Sequence, residues 1–297
     1  MKSFTAKLRD IDQVKFPIVK AAFKGKGGNV YMGYMLIDTG SMHCILNHSA
    51  LQVLDDSAIQ SNNKMNICSV QSQGALCTGV QLNFKMGNGE FTDVFYVSDA
   101  MDSDGMFGPG ALIGIIGIQF LIKHNLVLDY REESLHTSDG KLEQAPKDYN
   151  FFFPMSFGMQ QYNLPVVGLV NGDKEFVMVA DSGANATLIT EYVLKESGYE
   201  YEDINEKGSF TCYAHETMNT TIKNVTLNLL SIGGTEDNPK LCSAKEECQI
   251  TDAFCFIMNE QKDEEGQYRQ PISGLLSSPF MHRHKWVLDF SLGVIYA

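Results

Sequence analysis

The sequence predicts an all-β protein of two lobes related by a pseudo-twofold axis, with a few short helices. Three observations lead there. An apolar stretch running straight into an acid occurs twice, as "MLIDTGSMHCIL" at 35–46 and as "VMVADSGANATLI" at 177–189. The two acids, Asp38 and Asp181, stand 143 residues apart, and each is followed by a small hydroxyl residue and a glycine. A second pair of segments, "GIIGIQFLIKHNLVLDY" at 114–130 and "GLLSSPFMHRHKWVLDF" at 274–290, repeats at a spacing of 160. Finally, the residues upstream of each acid read as a hairpin with a glycine-containing turn. Ordered matches at steady spacing mark a tandem duplication, with domains at 1–150 and 151–297.

The elements follow in chain order. Residues 16–40 and 164–183 form the two hairpins that feed the acid-bearing strands. Asn47 and Thr190 occupy corresponding positions and suit helix N-caps, so short helices are expected at about 47–56 and 190–197. Two more are expected at about 118–125 and 278–284, inside the second repeated segment. The difference between the two spacings leaves about 17 extra residues in the second half. The polar stretches "GTEDNPKLCSAKEEC" (234–248) and "NEQKDEEGQYRQ" (259–270) read as the surface loops that hold them. The run "YNFFFPMSF" at 149–157 reads as the connection between lobes, packing into a core.

Composition narrows the function. A net charge of −13 disfavours nucleic acid and anionic membranes as partners and favours neutral or basic ligands. No apolar run of membrane-spanning length appears, and the N-terminal "MKSFTAKLRDIDQVKF" lacks the apolar core of a signal peptide. Seven cysteines without metal-site spacing read as free thiols in a reducing compartment, which points to the cytoplasm.

The acids raise the chemical question. A carboxylate set directly after a buried strand carries a desolvation cost unless something compensates it. If the two copies pack face to face, Asp38 and Asp181 meet on the axis. Two carboxylates in one site cannot both ionise cheaply, so the pair holds a single proton. Such a pair takes a proton from water at one acid and donates one to a carbonyl oxygen at the other. The glycines let the backbone approach the carboxylates, and the hydroxyls of Thr39 and Ser182 can bond across to the opposite loop.

"DTGS" and "DSGA", each after an apolar strand and each followed by "IIG" or "LLS" before a short helix, resemble the aspartic proteases. The single-chain, two-lobed layout is similar to the pepsin-like enzymes; the short lobes and the "IIG" ending look more like the retropepsin subunit, which normally dimerises. The resemblance covers nearly all of both halves and implies two β-barrel lobes and an aspartic endopeptidase. It implies Asp38 and Asp181 as the catalytic pair and Thr39 and Ser182 as interlocking hydroxyls. Gly40, Ser41, Gly183 and Ala184 would support the active-site loops, with Ile115-Ile116-Gly117 and Leu275-Leu276-Ser277 packed behind them. Flap hairpins would cover an extended peptide or protein substrate, with Gln73, Gly74 and Ala75 at one tip and Tyr213, Ala214 and His215 at the other. No metal or other cofactor is implied, and one chain holding both halves is expected to act as a monomer.

Departures and alternatives remain. Ser277 stands where the family usually has glycine, which predicts local crowding. The first flap lacks a tyrosine and the second has Tyr213. His282 and His284, on alternate residues of a short helix, do not share a face and so make a poor metal site. His43 and Cys44, adjacent on a strand, point to opposite faces and make a poor nucleophile–base pair. Ser41 in one loop and Ala184 in the other suggest a division of labour. A Ser41 hydroxyl donating to Asp38 would make Asp38 the first to ionise, leaving the shared proton on Asp181. A catalytically inactive peptide- or protein-binding module of the same fold is the alternative function, and a narrow processing protease the alternative enzyme.

Overall fold

The structure, a computed structural model, describes residues 4–11, 14–54, 59–67, 75–98, 112–140, 152–154, 164–211, 217–235, 238–251 and 272–297. These residues are mostly strand, arranged in three sheets.

The first half forms an eight-stranded sheet. From one edge it runs Arg9–Ile11, Val14–Lys24, Val30–Asp38, Leu112–Gly117, Cys44–Asn47, Gly89–Ser98, Ala75–Met86 and Ile59–Ile67. Val14–Lys24 also pairs with Ala75–Met86, curling the sheet toward a barrel. The second half repeats the order in seven strands: Val166–Asn171, Lys174–Ala180, Ile272–Leu276, Thr187–Thr190, Asn238–Thr251, Thr217–Thr235 and Tyr201–Thr211. Its own cross-pairing joins Leu169 to Leu229.

A six-stranded sheet joins the halves. It runs Thr5–Lys7, Ser134–Thr137, Leu126–Asp129, Val287–Asp289, Val294–Tyr296 and Phe152–Pro154. At its centre Leu128 lies opposite Leu288, with Val127 opposite Asp289 and Asp129 opposite Val287. The "VLD" copies seen in the sequence therefore pair with each other on the pseudo-twofold axis. Each aspartate then closes the next turn: Asp129 accepts the amides of Arg131 and Glu132, and Asp289 those of Ser291 and Leu292. One buried apolar core, including Leu46, Phe95, Phe120, Leu128, Ile189, Phe280, Trp286 and Leu288, runs through both halves. No helix among the described residues is long and apolar enough to cross a membrane.

Two expectations require correction. The helix expected at 47–56 is the single turn His48–Leu51. Asn47 does not cap it, because its side-chain amide donates to the Leu112 carbonyl at 2.7 Å. Thr190 does accept the Val193 amide, and its helix runs Glu191–Ser197 to a left-handed Gly198. The described part of the stretch 234–248, residues 234–235 and 238–248, is strand rather than surface loop. It belongs to the hairpin of Thr217–Thr235 and Asn238–Thr251, longer than its first-half counterpart Ala75–Met86 and Gly89–Ser98. The alternation was hidden because one inward residue is an acid: Ala244, Glu246 and Cys248 are all buried. Glu246 is satisfied by the Arg283 guanidinium and by the Thr187 hydroxyl at 3.1 Å. The other polar stretch, 259–270, lies outside the described residues.

Candidate active site

Each acid stands at the end of a strand that runs parallel to a neighbour, Asp38 as its last residue and Asp181 just after it. Val30–Asp38 lies beside Leu112–Gly117, with Asp38 opposite Gly117. In the second half Lys174–Ala180 lies beside Ile272–Leu276, and the Asp181 amide donates to Leu276 O at 2.9 Å. The loop after each acid crosses the end of that neighbour and returns on its other side, where Ile45 pairs with Ile115 and Leu188 with Leu275. The crossings are tied down in the same way. Ile118 N donates to Ser41 O at 2.8 Å, and Ser278 N donates to Ala184 O at 3.0 Å.

Within the loops the two halves mirror each other. Gly40 N donates to Asp38 Oδ1 at 2.9 Å, and Gly183 N donates to Asp181 Oδ1 at 2.8 Å. Thr39 N donates to Ser182 Oγ at 3.0 Å, and Ser182 N donates to Thr39 Oγ1 at 2.8 Å. The same hydroxyls donate across the axis, Thr39 Oγ1 to Ala180 O and Ser182 Oγ to Ile37 O at 2.6 Å. Thr39 and Ser182 are fully buried, and the amide and hydroxyl of each are satisfied by the other half.

This exchange sets a measurable cost. Ser182→Ala strips the partner from Thr39 N–H and from Ile37 C=O at once, at about 1–3 kcal/mol for each buried orphan. A lower denaturant midpoint at unchanged m-value is expected, with Ser182→Thr, the residue of the first loop, restoring most of it. An Ala variant as stable as the parent would show that the exchange does not hold the halves together.

The carboxyls of Asp38 and Asp181 meet on the axis and interact directly, by charge and by a hydrogen bond. Burial first, then the neighbouring Asp181, holds Asp38 well above the usual carboxylate range. Burial also raises Asp181, against the amides of Gly183 and Ala184 and the hydrogen bond from Asp38, which stabilise its anion. Two facing buried carboxyls cannot both ionise cheaply, so the pair shares one proton. The division expected from Ser41 loses its donor. The Ser41 hydroxyl donates to His43 O at 3.0 Å rather than to Asp38, and Asp38 receives the backbone amides of Gly40 and Ser41 instead.

Behind the loops the two halves differ by compensated changes. A Cβ at Gly117 would sit 2.4 Å from His43 O, so glycine is required there. Its counterpart Ser277 is not crowded. Its hydroxyl pairs with Thr187 Oγ1 at 3.1 Å and accepts Phe280 N at 3.2 Å, capping the helix Ser278–Arg283. The residue corresponding to Thr187 is Cys44, a buried thiol pushed up to about 12 by desolvation and so a poor nucleophile. Its neighbour His43 sets its ring 5.1 Å from that of Tyr96, and desolvation lowers its pKa. The rings of His124 and His284 lie tilted against those of Phe120 and Phe280, with centroids 4.4 and 4.5 Å apart.

The flap residues Gln73, Gly74, Tyr213, Ala214 and His215 lie outside the described residues. The arms leading to them are present: Ile67 pairs with Ala75, and Thr211 with Thr217. One polar contact beneath the acids had no motif to announce it, the buried pair Tyr130 and Ser278. The only sequence signal was the mismatch of "LDY" with "LDF" inside the second repeat.

No family model matches the chain, and no curated protein matches it. Among solved structures, an aspartic proteinase from Irpex lacteus superposes with a TM-score of 0.55 at 13% identity, covering 99% of this chain and 96% of that one. The basic 7S globulin from soybean superposes with a TM-score of 0.46 at 10% identity, covering 95% and 96%.

Proposed function

We propose that this chain, which has an aspartic-protease-like fold, is an aspartic endopeptidase that cleaves extended peptides with Asp38 and Asp181. The observation that supports it best is the buried, facing pair of carboxyls in mirrored loops. Two mutually repelling acids cost stability, and a site that only binds peptide has no use for them.

In this reading a water bound between the acids loses a proton to the Asp181 carboxylate as its oxygen attacks the scissile carbonyl carbon. Asp38 donates its proton to the carbonyl oxygen. The resulting gem-diol then collapses: the Asp181 proton moves to the amide nitrogen, the C–N bond breaks, and Asp38 recovers its proton from a diol hydroxyl. The loop amides remain fixed throughout, so the site reorganises little.

Leu36, two residues before Asp38 on the same strand face, belongs to a second apolar cluster with Ile18, Ile45, Ile67, Tyr96 and Ile115. Those residues are buried, so the cluster packs the strand that carries Asp38. Both acids come from one chain, so a monomer suffices, and the free thiols Cys44, Cys242 and Cys248 suit a reducing compartment such as the cytoplasm.

The test is a complex peptide library incubated with the protein from pH 3 to 8, with cuts mapped by mass spectrometry. Cuts are expected, blocked by a peptide carrying a non-hydrolysable hydroxyl in place of the scissile carbonyl. kcat/KM should be bell-shaped, falling when the pair gains a second proton and again when it loses its last. A folded protein that cuts nothing across this range overturns the reading.

A further inference from the structure

The two halves match at the acids but not beneath them. Tyr130, which follows the strand Leu126–Asp129, is buried, and its hydroxyl lies 2.9 Å from that of Ser278 in the other half. The duplication puts Phe290 and Ile118 at the corresponding positions, and both are buried. There a ring and an aliphatic chain fill the equivalent space with no hydroxyl. Packing alone therefore does not call for the Tyr130 oxygen, and a buried hydroxyl is costly unless it is bonded.

The contacts of this pair lead to the Asp181 loop. Ser278 opens the helix Ser278–Arg283, and its amide ties down Ala184 O at 3.0 Å. Ser182, next to Asp181, is a further polar neighbour of the Tyr130 hydroxyl, and both acids act on that hydroxyl electrostatically. The one hydroxyl proton of Ser182 is committed to Ile37 O. Toward Ser182, Tyr130 can therefore donate but not accept. The Tyr130 hydroxyl thus joins Ser278, whose amide holds Ala184 O, to Ser182, whose hydroxyl holds Ile37 O across the axis.

We propose that Tyr130 is a positioning residue: through Ser278 and Ser182 its hydroxyl holds the Asp181 loop against the Asp38 loop and makes the two acids unequal. The proposal rests on reading Asp38 and Asp181 as the catalytic pair. Other ionisable groups near Tyr130 are His282, its ring 6.2 Å away and edge-on, Glu133, 3.5 Å from His282 Nε2, and Asp129, held by backbone amides. A change at the hydroxyl leaves all three in place.

Tyr130→Phe gives this side the residue already present at 290, so the fold is expected to survive. Two readouts are taken on the full chain: kcat and KM on a peptide from the library, and the aspartate carboxyl titration by NMR after 13C labelling. kcat should fall about tenfold, equivalent to one modest transition-state contact, with KM changed by less than about twofold. The titration of the pair should move upward, because a donor dipole directed toward the Asp181 loop is gone. Ser278→Ala should show both effects, and the double variant should be no worse than Tyr130→Phe alone. Unchanged kcat and unchanged titration in Tyr130→Phe would make Tyr130 a packing residue and overturn the proposal. If the parent cleaves nothing yet the titration still moves, the protease reading fails while the coupling of Tyr130 to the pair stands.

Discussion

Replacing either Asp38 or Asp181 with Asn is expected to lower kcat/KM by at least about a thousandfold, because groups acting as one unit fail together. The fold should survive and become more resistant to heat at neutral pH. Both carboxyls sit above their ordinary value in the folded chain, chiefly through burial. Below the ordinary carboxylate pKa the folded and unfolded chains are both protonated and the linkage vanishes. As pH rises past it, the unfolded chain ionises while the folded pair keeps its proton. The folded state then binds more protons, so stability falls as pH rises through the folded-state values. Asn removes that dependence. The advantage of Asp38→Asn in melting temperature should therefore be small near pH 3 and grow toward pH 7. An advantage that shrinks over this range, or residual activity above about one per cent, would show that the acids do not work as a coupled pair.

The second large effect comes from adding a methyl group without touching charge. A Cβ at Gly40 would lie 2.5 Å from Cγ of Asp181, and one at Gly183 would lie 2.4 Å from Cγ of Asp38. Those carboxyls are held by the loop amides and by each other, so they have little room to yield. Gly40→Ala and Gly183→Ala should each cost about a hundredfold or more in kcat, since misplacement of about 1 Å is enough to do so. Gly168→Ala is the matched control, because its new Cβ would meet nothing nearer than Leu230 Cβ at 3.5 Å. Gly114→Ala is the opposite control: its Cβ would fall 2.2 Å from Ile45 O, a backbone atom, and should lower the melting temperature rather than kcat alone. Gly40→Ala active within about fivefold of the parent would mean that the acids are not held as closely as this.

The features legible in the sequence were those that the duplication wrote twice. An isolated Asp-Thr-Gly could be any turn, but its recurrence as Asp-Ser-Gly after a similar strand brought both loops into view. The "VLD" copies likewise marked the strands that pair on the axis. What the repeat did not share was harder to see. Glu246 reads as a surface acid until Arg283, 37 residues on, arrives beside it. Asn47 and Thr190 read alike as caps, yet only Thr190 caps, because the Leu112 carbonyl lies within reach of Asn47. The Ser41 hydroxyl looked like the donor that would set the acids apart, and a carbonyl two residues away captured it instead.

The sequence by itself determined the all-β class, the two-lobed aspartic-protease-like layout and the acids worth testing, because strand alternation and glycine-bearing turns are local and the duplication supplied an internal comparison. Tertiary structure alone decided which hydroxyl meets which carbonyl, that the two acids share one buried site, and that Tyr130 reaches beneath the pair. Those outcomes depend on distances of about 3 Å between residues more than a hundred positions apart. Sequence spacing carries no such distance; the pairing of strands across the axis creates it.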